Sequence, residues 1–225
     1  MYKPGKFNYH KFGKVTCDKT GSRYYETPTG HLSSVTTILG ATADKEGLKA
    51  WREWVGEETA NREVKEATGL GTLMHTHLEN YVMGLERPGG TNVVRKMAKD
   101  MADVAIGRGL SKVDEVWAIE QELYYPGLYA GTADLIMLHD SAPAIGDYKT
   151  TKKPKKDEWV EDYKIQGVAY SLAHNEVYGT DIRKSVVIMV SRNCEYQEWV
   201  VQGAEFDDCA DRWIRRLELY LESIS

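Results

Sequence analysis

The chain is 225 residues long with 42% hydrophobic and 28% charged residues, the balance of a globular protein large enough to bury a full core. No apolar run reaches the roughly 18 residues of a membrane span, and the start, MYKPGKFNYHKFGK, lacks the apolar stretch of a secretory signal. The formal net charge of −5 excludes a uniformly basic nucleic-acid coat, although residues 1–23 run the other way, setting Lys3, Lys6, Lys11, Lys14, Lys19 and Arg23 against Asp18 alone. Cys17, Cys194 and Cys209 are widely spaced and form no C-x-x-C pair, which argues for a reducing compartment. The expectation is a soluble, intracellular protein that is not secreted and has no membrane partner.

Residues 7–33 alternate polar and apolar positions around Lys-Thr-Gly at 19–21 and Pro-Thr-Gly at 28–30, predicting a small β-hairpin or meander with exposed basic residues. Leu48, Trp51, Val55 and Val64 recur at helical spacing, with Trp51 and Trp54 expected in the core. Gly69 is expected to end that helix, and a second is expected from near Gly71 to about Met83. On it His75 and Glu79 share a face while His77 points elsewhere, as an ordinary core or surface histidine. After Pro88-Gly89-Gly90, the stripe Val93, Val94, Met97, Met101, Val104 and Ala105 predicts an amphipathic helix packed on the core.

Strands are predicted over about 113–124, 129–138 and 142–148, and a helix over about 157–178 that carries Gln166 and Tyr170 one turn apart. The run Thr150-Thr151-Lys152-Lys153-Pro154-Lys155-Lys156 lies between them, a solvated face by default but well sited to hold a phosphate backbone. A buried strand at 185–191, a hairpin partner at 196–201 and a closing helix at about 205–224 complete the chain. One domain is expected over 1–225: an N-terminal β-hairpin region at 1–33, a helical region at 45–110, a sheet core at 113–201 and a C-terminal helix at 205–225.

The informative stretch is Gly131–Lys149, GTADLIMLHDSAPAIGDYK. A hairpin turning about Asp140–Ser141 makes Asp134 and Asp147 direct cross-strand partners, with Cβ atoms roughly 5 Å apart. Lys149, two residues on, projects from the same face. Two carboxylates that close, in partly apolar surroundings, require a proton or a cation between them, and an oxygen-ligand site for a divalent metal answers that need. Upstream, a three-residue loop at 126–128 puts Glu120 opposite Asp134, whereas a two-residue loop puts Ile119 there. The sequence leaves that register open, and salt-bridging suits Glu120 as well as metal binding does.

Asp134, a gap of about a dozen residues and then Asp147-Tyr148-Lys149 resemble the core of the PD-(D/E)XK nuclease superfamily. Gly131-Thr132-Ala133-Asp134 resembles that family's G-x-x-D entry, and Gln166-Gly167-Val168-Ala169-Tyr170 resembles the Q-x-x-x-Y helix of its RecB-like branch. Gly71-Thr72-Leu73-Met74-His75, followed by Leu78 and Glu79, resembles that branch's histidine helix. With Ser34-Val35-Thr36-Thr37-Ile38-Leu39, the pattern is most similar to the group containing the mitochondrial genome maintenance exonuclease and related phage exonucleases.

The resemblance implies an α/β (α+β) fold with a restriction-endonuclease-like core. That is a central mixed β-sheet flanked by helices, here with an N-terminal β-hairpin and a helical elaboration. It implies catalytic roles for Asp134, Asp147 and Lys149, with His75 joining Asp134 and Asp147 as a metal ligand and Glu120 an open candidate. It implies that Gln166 and Tyr170 position DNA, beside the backbone-holding Lys152 and Lys153. The cofactor expected is Mg²⁺ or Mn²⁺; three scattered cysteines cannot supply the four-cysteine iron–sulphur cluster of some relatives. The expected activity is metal-dependent DNA exonuclease chemistry in phage-type replication, recombination or degradation. A structure-specific endonuclease or resolvase on the same core and a catalytically silent nucleic-acid-binding module are the alternatives. The oligomeric state stays open between a monomer and a ring-like homo-oligomer.

Overall fold

The computed structural model describes residues 1–16 and 22–224. Cys17 and the turn expected at 19–21 fall outside them. A small antiparallel sheet of β1 (Lys14–Thr16), β2 (Arg23–Thr27) and β3 (Gly30–Ser33) opens the fold. Helices α1 (Val35–Thr42), α2 (Glu46–Val55), α3 (Glu57–Met83) and α4 (Val93–Arg108) follow. The main sheet has the order β4-β5-β6-β7-β8, from β4 (Val113–Tyr125), β5 (Tyr129–His139), β6 (Ala142–Thr151), β7 (Lys184–Ser191) and β8 (Tyr196–Gln202). Helix α5 (Glu161–Tyr178) carries the chain from β6 to β7, and α6 (Ala204–Ile224) closes it. Among the strand pairs of this sheet β6–β7 is the parallel one, as expected where a helix connects two strands. The fold is therefore mixed α/β, a five-stranded mixed sheet flanked by helices with an antiparallel N-terminal element, as the sequence predicts.

Alternation along the strands splits the core in two. Leu135, Met137, Tyr148, Val186 and Ile188 face α3 and α4 through Met74, Leu78, Met101 and Ala105. Ile136 and Ile145 face Ile165, Val168, Ala169 and Trp213 of α5 and α6. Strand β7 is buried along its whole length, as its VVIMV run predicts. The predicted stripe on α4 buries Met101 and Ala105, while Val93 and Val94 in its first turn stay exposed.

The helical region departs from expectation in two ways. The break falls at Gly56, not Gly69. Gly56 adopts φ +83°, a conformation that favours glycine, and its N–H closes the turn on the Arg52 carbonyl at 2.9 Å. Helix α3 then runs unbroken through Gly69 and Gly71, because Leu70, Met74, Leu78 and Val82 fasten one continuous face to the core. The second departure is that α2 has no fully buried residue, Trp51 being only partly covered. Trp54 is 83% exposed and Leu48 about half exposed, because α2 packs mainly on α3, where Val64 is itself half exposed. Apolar periodicity made the helix but supplied no surface for it to cover.

Candidate metal centre and nucleic-acid cleft

The β5–β6 ladder has the predicted register, with His139 opposite Ala142 and Leu135 opposite Gly146. It ends there, one step before Asp134 and Asp147. Past that point the Asp134 carboxylate accepts the Tyr148 N–H at 2.7 Å, replacing the next backbone bond. Across the other edge, Tyr125 pairs with Tyr129, so the loop has three residues. Ile119 stands opposite Leu135 and Gln121 opposite Ala133, which places Glu120 opposite Asp134. Glu120 is held at φ +46°, a left-handed conformation costing a non-glycine residue on the order of 1–3 kcal/mol. That kink lies where its carboxylate meets the histidine of α3.

His75 leans over the sheet end from α3. Its Nε2 is 3.0 Å from the Tyr148 carbonyl oxygen, which can only accept, so this nitrogen carries the hydrogen. Nδ1 faces the acids, 3.7 Å from Glu120 Oε1 and 3.8 Å from Asp134 Oδ2. Burial pulls the imidazole pKa down, but the Glu120 and Asp134 carboxylates outweigh it and raise it to about 9. Asp134 is pushed up from the usual carboxylate range by burial and by Asp147 nearby. Burial also raises Glu79, with Glu120 adding to the effect.

Asp147 is 2% exposed, and Lys149 Nζ lies 2.6 and 2.5 Å from its two oxygens. The ammonium donates to Oδ1 and ion-pairs with the buried Oδ2. Burial opposes the charge on Lys149, but Asp147 and Asp134 raise its pKa above the ordinary lysine value, so the amine stays cationic at neutral pH.

These groups sit in a cleft of about 800 Å³ between α3, α5 and the sheet end. The structure brings His75, Glu120, Asp134, Lys149, Gln166 and Tyr170 to its wall, with Asp147 buried behind Lys149. Gln166 and Tyr170 are both buried, Gln166 Nε2 donating to the Tyr170 hydroxyl at 3.3 Å. A Cβ on Gly131 would come within 2.5 Å of the Tyr170 ring, so the glycine of β5 and the tyrosine of α5 depend on each other. Lys152 and Lys153 do not line this cleft; both lie exposed beyond it, and Lys152 pairs with Glu63 at 3.2 Å. His77 is a buried core residue.

Sequence reasoning left Glu79 out of the site. One ligand atom each from His75, Glu79 and Glu120 lies within 4.8 Å of the others. The signal was present in the four-residue spacing on one helix face. Tyr163, also in the cleft wall, carried no such signal, and Thr36 stood out only as part of the Ser34–Leu39 stretch.

This donor set fits a divalent cation. Carboxylate oxygens and one imidazole converge, and the acids exceed the cations beside them. No helix among the described residues is long and apolar enough to cross a membrane.

No family model matches the sequence, and no curated protein matches it. Solved structures do match. One is the crystal structure of a "putative exonuclease" from Eubacterium rectale, with a TM-score of 0.47 and 13% identity, covering 68% of this chain. The chain spans 66% of that structure's length.

Proposed function

We propose that the protein is a metal-dependent deoxyribonuclease, acting as an exonuclease of the RecB-like branch, that hydrolyses phosphodiester bonds in this cleft. The observation that carries the reading is the convergence of Asp134, Asp147, Lys149 and His75 at one sheet end, with Glu120 directly opposite Asp134. The motif order that resembles the nuclease superfamily supports it independently.

His75, Asp134 and Asp147 would hold Mg²⁺ or Mn²⁺, with Glu120 and Glu79 as further donors. Such an ion would supply Lewis acidity towards a phosphodiester. The chain's residues do the rest. Lys149, held by Asp147, presents an ammonium that orients the attacking water and screens charge developing on the phosphate. The Tyr148 N–H, in donating to Asp134, fixes the rotamer of that carboxylate. Gln166 and Tyr170 offer polar atoms on the cleft wall for positioning DNA.

The deciding experiment incubates the protein with linear single-stranded, linear duplex and covalently closed circular DNA, with Mg²⁺, Mn²⁺ or EDTA. Metal-dependent loss of linear DNA with circles spared is the expected result. Nicked circles would replace it with endonuclease activity, and intact DNA of every form would sink the enzymatic reading.

A further inference from the structure

Beyond β6 the chain forms a short, firmly held loop that the cleft does not use. Thr151 Oγ1 donates to the Lys153 carbonyl at 2.7 Å. Gln197 on β8 clamps the Lys155 backbone from both sides, accepting its N–H at 2.7 Å and donating to its carbonyl at 2.8 Å. Residues Asp157–Trp159 then form a single 3₁₀ turn, with Trp159 N–H donating to the Lys156 carbonyl at 3.0 Å, anchored by the fully buried Val160.

What this support presents is an aromatic ring. Trp159 is 55% exposed, and the amines of Lys155 and Lys156 lie 5.8 and 5.2 Å from its ring centroid. Lys153 is exposed beside them, while Lys152 pairs with Glu63 at 3.2 Å. Of the acids beside Trp159 in the chain, Asp157 is engaged by Lys164 at 2.8 Å and Glu158 lies 3.8 Å from the Lys156 amine. One turn further on, the Tyr163 N–H bonds to the Val160 carbonyl at 3.0 Å, and its ring lines the cleft 5.1 Å from Lys149 Nζ. Tyr163 thus stands at the cleft wall four residues after Trp159, joined to its loop through Val160. Trp54 is more exposed still, but Glu53, Glu57 and Glu58 accompany it and no lysine amine lies over its ring among the described residues.

We propose that Trp159 is a stacking platform for a nucleobase of single-stranded nucleic acid, with Lys155, Lys156 and their neighbours taking the adjoining phosphates. An exposed aromatic in a cationic setting offers what a single strand supplies, a bare π-face beside a phosphate. In a duplex those faces are already covered by neighbouring base pairs. This assignment rests on the nuclease reading in one respect, that the strand lying on Trp159 is the one entering the cleft. It makes single-stranded DNA the preferred substrate.

The test measures fluorescence anisotropy of labelled oligo(dT) and of a blunt duplex of equal length, in Mg²⁺, with the full chain carrying Asp147→Asn to prevent digestion. Adding Trp159→Ala is expected to weaken oligo(dT) binding by about 5- to 100-fold, the loss of one stacked base, with duplex affinity changed less than about twofold. Trp159→Tyr is expected to restore most of the loss. Unchanged oligo(dT) affinity in Trp159→Ala, an equal loss for both DNAs, or no oligo(dT) binding by the parent would each overturn the platform. Digestion by the unmutated chain is read alongside. Trp159-dependent binding without digestion upholds the platform and sinks the nuclease reading alone. Digestion with Trp159-insensitive binding sinks the platform alone.

Discussion

Two histidines show how neighbouring carboxylates can reverse the effect of burial. His75 lies among carboxylates and is raised to about 9, whereas His174 on α5 is fully buried among Phe7, Tyr9 and Tyr178 and is lowered to about 4 by that burial. His174 is satisfied as a neutral ring. Its Nε2 meets the Tyr9 hydroxyl at 3.1 Å and its Nδ1 the Thr180 hydroxyl at 2.8 Å, and each hydroxyl can donate or accept as needed. The His75 surroundings contain more acid than the chain itself neutralises. A closed polar network holds the N-terminal segment down; an open one is built to receive something.

The contrast yields predictions that separate chemistry from stability. Asp147→Asn should lower cleavage of linear DNA on the order of 10²- to 10⁴-fold while the melting temperature changes little. Digestion at the parent rate would remove the cleft from the catalytic account. His174→Ala should do the reverse, destabilising the protein by about 2–4 kcal/mol in denaturant titration with cleavage per folded molecule unchanged. A parent-like denaturation midpoint would show that the aromatic cluster does not hold the N-terminal segment.

The pH dependence follows from the same residue. The unfolded chain protonates His174 near the ordinary histidine value, and the folded chain only near 4. Its contribution is therefore complete above pH 6.5 and is lost as pH falls towards 4, by up to about 3 kcal/mol. In His174→Gln that acid-side slope should flatten, and an unchanged slope would assign acid sensitivity elsewhere. The smallest effect falls between the two regions. Gly131→Ala drives a methyl into the Tyr170 ring, for a loss of about 1–3 kcal/mol in the same titration. A neutral outcome would mean that Tyr170 moves aside freely.

Much of the sheet could be read from the chain because local rules fix it. The Asp140–Ser141 turn sets the β5–β6 register, and the Pro126-Gly127 loop, once its length is known, sets Glu120 against Asp134. The helical region was less legible. The periodicity of Leu48, Trp51 and Val55 describes a helix correctly, but periodicity does not say whether another surface exists to cover it. The helix break went to Gly69 because glycines at Gly69 and Gly56 look alike until the packing of Leu70 and Met74 holds one of them straight. Trp159 was invisible for a related reason, since its exposure depends on the Gln197 clamp, which is distant in sequence.

The carboxylate that closes the β5–β6 ladder bears on how such a chain would age under drift. Asp134 serves the Tyr148 backbone as well as the cleft. A descendant that abandoned cleavage would still be under selection to keep it, because losing it strands a backbone N–H at the sheet end. Lys149 and Asp147 answer mainly to one another, so they can be lost as a pair. Among divergent copies of this fold, the survival of Asp134 alone would be a record of folding, and only the joint survival of Asp147 and Lys149 would speak for chemistry.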